Sequence, residues 1–162
     1  MSRRFVLILP LVLSLGAFLA VAASADTAAQ ARKAIQAAYD KQSAAMARKD
    51  VNGSFASCAP ECKNITQEGK TYTLKQIKEL AAQTFALAKT FKEKTTINHF
   101  RLIGNKAIVT ATDHAVLTSV NPGTSQITTM TEDEVDEDIW VKRSNRWWLI
   151  QSKTIKDTYS RK

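Results

Sequence analysis

All three tryptophans of this 162-residue chain fall in one stretch, Asp138-Ile-Trp-Val-Lys-Arg-Ser-Asn-Arg-Trp-Trp-Leu-Ile-Gln-Ser-Lys153. Aromatic and β-branched residues flank Ser144-Asn145 on both sides, and Asn tolerates the positive φ of a tight turn. The stretch therefore reads as a two-stranded hairpin. A greasy hairpin needs a covering layer, so the remaining chain must supply one.

Upstream, alternation continues over Thr95–Ile103, Lys106–Val120, Gln126–Arg143 and Arg146–Lys156. Gly104-Asn105, Asn121-Pro-Gly-Thr124 and Ser144-Asn145 supply the turns. Before the strands the period is helical. Ala31, Ile35, Ala38, Tyr39, Gln42 and Met46 form one stripe within Thr27–Lys49, started by Asp26 or Thr27 and stopped by Asp50-Val-Asn-Gly53. A second helix opens with the capping box Thr73/Gln76 and carries Leu74, Ile77, Leu80, Phe85, Ala88 and Phe91 as its buried stripe. Between the helices, Lys63 to Tyr72 reads as a small hairpin around Gln67-Glu-Gly-Lys70. Helices followed by a meander give an α+β domain, with the N-terminal helices packed on one face of an antiparallel sheet.

Arg3 and Arg4, an apolar run from Phe5 to Ala23 and the exit Ala23-Ser-Ala25 describe a signal peptide over residues 1–25, cut after Ala25. The run is long enough to span a bilayer, since ~18 apolar residues suffice. Pro10, Ser14 and Gly16 weaken it as an anchor, so no stable membrane anchor is expected after cleavage. The protein is then exported, to the periplasm in a Gram-negative cell, and residues 26–162 form one domain. Losing two arginines from 23 basic residues set against 15 acidic ones leaves a net charge of +6. Scattered lysines without an aromatic-interleaved stripe argue against nucleic acid. Cys58 and Cys62 read most simply as a structural disulfide in an oxidising compartment. Metal binding would need further ligands, and the histidines lie far along the chain; no metal or cofactor is expected.

The order of these elements resembles the nuclear-transport-factor-2-like superfamily, and within it the SnoaL-like group. The resemblance rests on Ala34-Ile35…Tyr39 with Arg48-Lys-Asp50, on Glu68-Gly69 before Thr73, on Gly104-Asn105-Lys-Ala-Ile-Val109, and on Ile139 to Trp147. It implies a cone: a strongly bent sheet wrapped around a helix, with a pocket at the open end. The superfamily includes cyclases, isomerases, dehydratases, dimerising transport factors and domains without known activity. Its enzymes commonly set an Asp or a His inside the cone. Here the strand after Trp148 reads Leu149-Ile-Gln-Ser-Lys153, without the late histidine, which lowers the case for an enzyme.

Pairing propagated from the turns, without bulges, sets Asp138 opposite Gln151, Asp136 opposite Lys153 and Asn98 opposite Ala111. One face then holds Phe100, Leu102, Ala107, Val109, Ala111, Trp140, Trp147 and Leu149. Asn98, Asp113, Asp136, Asp138 and Gln151 gather at its polar end. With Tyr39 and Trp140, these are the expected ligand-binding residues, and the ligand class is small and apolar or amphipathic. If the domain is an enzyme, an isomerase, cyclase or hydratase, then Asp138 or Asp113 is the acid–base group and Tyr39 a hydrogen-bond donor. The opposite face, with Ile108, Val135, Ile139, Val141, Trp148 and Ile150, is greasy enough to expect a homodimer. A purely structural dimerisation module is the third reading. Glu132 to Asp138 reads as a solvated strand end compensated by Lys153 and Lys156, with a buried, proton-holding Asp138 as the sharper alternative.

Overall fold

The computed structural model describes residues 27–120 and 123–161. The expected signal segment and part of the Asn121–Thr124 turn lie outside them. The elements are α1 (Ala28–Ala47), α2 (Val51–Ser54), β1 (Cys58–Ile65), β2 (Thr71–Thr73), α3 (Leu74–Leu87), β3 (Ala88–Ile103), β4 (Lys106–Val120), β5 (Ile127–Arg143) and β6 (Arg146–Arg161). Strands run in the order β2-β1-β6-β5-β4-β3 in one sheet. The β3–β6 meander is antiparallel as expected, and β1 and β2 form the small hairpin. Because β1 joins β6 in parallel, the sheet as a whole is mixed.

Local chemistry accounts for the boundaries. The Thr27 and Thr73 hydroxyls each accept from the backbone N–H three residues on, with Gln30 and Gln76 reciprocating. Ser144 and Asn145 both take positive φ, 47° and 65°, which a two-residue hairpin turn of matching twist requires. Gly104 takes φ 59° in the preceding hairpin. One expectation fails at α3. The helix ends at Leu87, and Ala88 and Phe91 belong to β3. The long partner β4 offers an unpaired ladder there, and Phe91 pairs with Leu117. Tertiary pairing overrides the local helical period.

The core lies between α1 and the concave face of the sheet. Ala31, Ile35 and Tyr39 project from the helix onto Ala107, Val109, Ala111, Trp140, Trp147 and Leu149, with Phe100 and Leu102 packed alongside. Burying side chains such as Ile35 and Val109 contributes about 2 kcal/mol each. Arg32 and Gln36 reach from α1 to the carbonyls of Ile97 and Thr95, at 2.8 and 3.0 Å, and fix the helix across β3.

Three bulges alter the expected face assignment. In β3 the register shifts between Ile97 and His99, so Ile97 takes the place opposite Ala111 and Asn98 is squeezed out. In the β5–β6 pair, shifts at Ile139/Trp140 and Val135/Asp136 set Asp138 opposite Ser152 and Asp136 opposite Thr154. Gln151 pairs with Ile139 and Lys153 with Glu137, both turned to the outer face. Each extra residue reverses the alternation beyond it.

Candidate functional site

Along β5 the acids Glu132, Glu134, Asp136 and Asp138 alternate onto the concave face, while Asp133 and Glu137 are exposed on the other. Asp113 on β4 and Glu93 on β3 complete an acidic wall around a cavity of about 220 Å³. Met46, Phe55, Ile77, Phe91 and Leu149 supply its apolar surface, and Lys63 is the one basic side chain on it among the described residues.

Asp138 is 4 % exposed and lies against Trp140, which is 0 % exposed. The Tyr39 hydroxyl donates to Asp138 Oδ2 at 2.5 Å and accepts from Trp140 Nε1 at 3.1 Å. The two rings meet edge to face, with centroids 5.2 Å apart. This chain of donors fixes the floor of the cavity. Oδ1 of Asp138 and Oδ1 of Asp136 are buried without a hydrogen-bond partner, as is Oε1 of Glu93. Thr95 donates to Asp113, and Thr154 to Glu134.

Burial and crowding of like charge make this wall hold protons. Burial pushes Asp138 up to about 7 despite the Tyr39 and Ser152 hydroxyls, which favour its charged form. Burial, followed by repulsion from Glu134, Asp138 and Asp113, pushes Asp136 up to about 9. Burial and then the charge of Asp113 carry Glu93 to about 8. Asp113, Glu132 and Glu134 are raised too, chiefly by burial. Tyr39 is raised by burial and by its carboxylate neighbour.

Of the expected site residues, the fold gathers Tyr39, Asp113, Asp136 and Asp138 at one cavity. Trp140 lies beneath the floor and acts through Tyr39. Asn98 and Gln151 are not at the cavity: Asn98 is exposed and donates to Thr112 Oγ1 at 2.6 Å, and Gln151 is displaced by Ser152. The solvated reading of the acidic run is corrected as well. Lys153 and Lys156 do not compensate its inner acids, because the bulges pair them with Glu137 and Val135. Cys58 and Cys62, the pair expected as a disulfide, both line the cavity as buried thiols within hydrogen-bonding distance of each other. The hydrogen bond with Cys62 lowers Cys58, and that same bond and then burial raise Cys62.

Glu93 and Ser152 were not legible as site residues. The first sits between the expected helix and the expected first strand, and the second is moved inward by a bulge.

No protein-family profile matches this chain, and no curated protein sequence does. Solved structures do. A domain of unknown function with a cystatin-like fold from Nostoc punctiforme is 20 % identical, with a TM-score of 0.61 over 80 % of this chain and 78 % of that one. A provisionally assigned scytalone dehydratase from Novosphingobium aromaticivorans is 14 % identical, with a TM-score of 0.67 over 79 % and 86 %. A provisionally assigned dehydratase of the NTF2-like family from Streptomyces avermitilis is 14 % identical, with a TM-score of 0.64 over 79 % and 97 %. At these identities the likeness establishes the fold. It is the NTF2-like, cystatin-like cone that the family resemblance implied.

Proposed function

We propose that this chain is an exported small-ligand-binding domain whose site is the acid-walled cavity above Tyr39, Asp138 and Trp140. The observation that carries the reading is the pair of buried, unpartnered oxygens on Asp136 and Asp138 beside an open cavity. A buried acceptor left unsatisfied costs about 1–3 kcal/mol. A sequence selected for packing alone would put apolar groups there. A ligand with a polar end toward β5 and an apolar part against Phe55, Ile77 and Phe91 would satisfy both surfaces.

The test is a thermal-shift screen of small metabolites against the wild type and Ala115→Phe. Ala115 lines the cavity, and the added ring would fill it. Compounds that raise the melting temperature of the wild type and leave Ala115→Phe unmoved support the reading. A screen in which the same compounds act equally on both proteins contradicts it.

A second reading, acid–base catalysis, is favoured by one feature: a carboxyl poised near neutrality in a cavity wall. Dehydratase names among the similar structures point the same way. Against it, Tyr39 already donates to Asp138, so it is not free to stabilise an oxyanion on a substrate. Exchange of deuterium into a bound enolisable ketone, lost in Asp138→Asn, would favour catalysis over binding.

A further inference from the structure

The polarity of the cavity narrows what can enter it. Glu93, Asp113 and the four inner acids of β5 surround the space from three adjacent strands. The remaining walls bring little countercharge. The α1 wall contributes Tyr39, Gln42 and Met46, the α3 wall Ile77, the β6 wall Leu149 and Ser152, and β1 two thiols, Asn64 and the exposed Lys63. An anion would meet repulsion on the acidic side. Among the described residues, no group of three or more His, Cys, Asp or Glu side chains is arranged to hold a metal ion. The hydroxyls of Tyr39, Thr95, Thr154 and Ser152 each serve one carboxyl, and acceptor oxygens are left over. Asp136 and Asp138, 7 % and 4 % exposed, each keep an acceptor oxygen with no partner, and Glu93 keeps a third.

Resting on the ligand-binding reading above, we propose that the cavity binds an organic cation, a protonated amine carrying a short apolar chain. An ammonium group offers three N–H donors and no acceptor, the complement of this wall. Charge-assisted hydrogen bonds to carboxylates are about twice as strong as neutral ones. The apolar chain lies against Met46, Phe55 and Phe91. The volume, about 220 Å³, equals roughly seven waters of liquid, which suits an amine of a few carbons rather than a long polyamine. Protons now held by the crowded carboxyls leave as the ammonium takes their place, so binding releases protons and tightens as pH rises.

Isothermal titration calorimetry of the whole mature protein with n-hexylamine, 1-hexanol and hexanoate tests this. Hexylammonium is expected to bind at least tenfold tighter than hexanol, and hexanoate not to bind. Its affinity is expected to rise between pH 6 and 8, by up to tenfold per pH unit for each proton released. Two buffers of different ionisation heat would count those protons. Asp136→Asn and Asp138→Asn, close in shape to the native carboxyls, are each expected to weaken hexylammonium at least tenfold and to leave hexanol unchanged. If hexanol binds as tightly as the amine and Ala115→Phe abolishes both, the cation inference is overturned while the ligand-binding reading stands. If none of the three binds, the cation inference falls and the thermal-shift screen decides the ligand-binding reading; if they bind and Ala115→Phe changes nothing, both fall. The pH series on the wild type decides the matter even if a carboxyl variant fails to fold.

Discussion

Tyr39 is the residue on which the floor of the cavity turns. Its hydroxyl spends its one proton on Asp138 and accepts the one N–H of Trp140. Tyr39→Phe would keep the packing and orphan both partners, so an unfolding free energy lower by about 1–3 kcal/mol is expected from urea denaturation. The carboxyl it serves gives a second expectation. Asp138 titrates near 7 in the fold and about 3.9 in an unfolded chain. Between those values the native state holds a proton that the unfolded state has released. Rising pH therefore favours unfolding, and stability present below about pH 4 is lost as pH climbs through 7. Glu93 and Asp136, raised to about 8 and about 9, act in the same direction and extend the decline. Melting temperatures measured from pH 5 to pH 9 are expected to fall steadily, and less steeply in Asp138→Asn. A rise across that range would contradict the burial of these acids. Asp138 was legible in the sequence because it sits two residues from Trp140 on an alternating strand. Asn98 and Gln151 were misplaced because an extra residue in a strand leaves no mark in composition or period.

Elements whose ends are set by local chemistry follow the sequence closely, and those set by distant partners do not. The capping boxes at Thr27 and Thr73 start their helices as expected. The Ser144-Asn145 turn closes its hairpin in the expected register nearby, with Trp140 opposite Leu149. Removing the tolerance for positive φ should therefore cost energy without moving the fold. Asn145→Val is expected to destabilise by about 1–2 kcal/mol, seen as a lower urea midpoint with an unchanged slope. The end of α3 is different. Ala88 and Phe91 continue the helical spacing, yet β4 extends to Val120 and recruits residues 88–94 as its partner. No local signal could reveal that, and Glu93 went unseen with it. The β1–β6 pairing is likewise invisible, because parallel neighbours far apart in sequence share no turn.

The whole molecule has two faces with different work to do. Inside the cone is the acid-walled cavity. Outside, Ile108, Val135, Ile139, Val141, Trp148 and Ile150 make a half-buried apolar surface, with Arg146 lying 3.9 Å over the Trp148 ring. We propose that two copies pack through this surface. Val141→Glu is expected to convert a dimer to monomer in sedimentation while leaving ligand binding intact, because Val141 lies across the sheet from the cavity. The order of elements made the α+β class legible, since helices before a four-stranded meander pack on one face of it, and the cone followed from the resemblance to the nuclear-transport-factor-2-like superfamily. The contents of the cone are a separate question, and native mass spectrometry of the protein purified from its own source answers it most directly. An occupied cavity predicts an excess mass that disappears on denaturation and is absent from Ala115→Phe prepared in the same way. The bare mass of the chain for both proteins would contradict the claim that this cavity is a binding site.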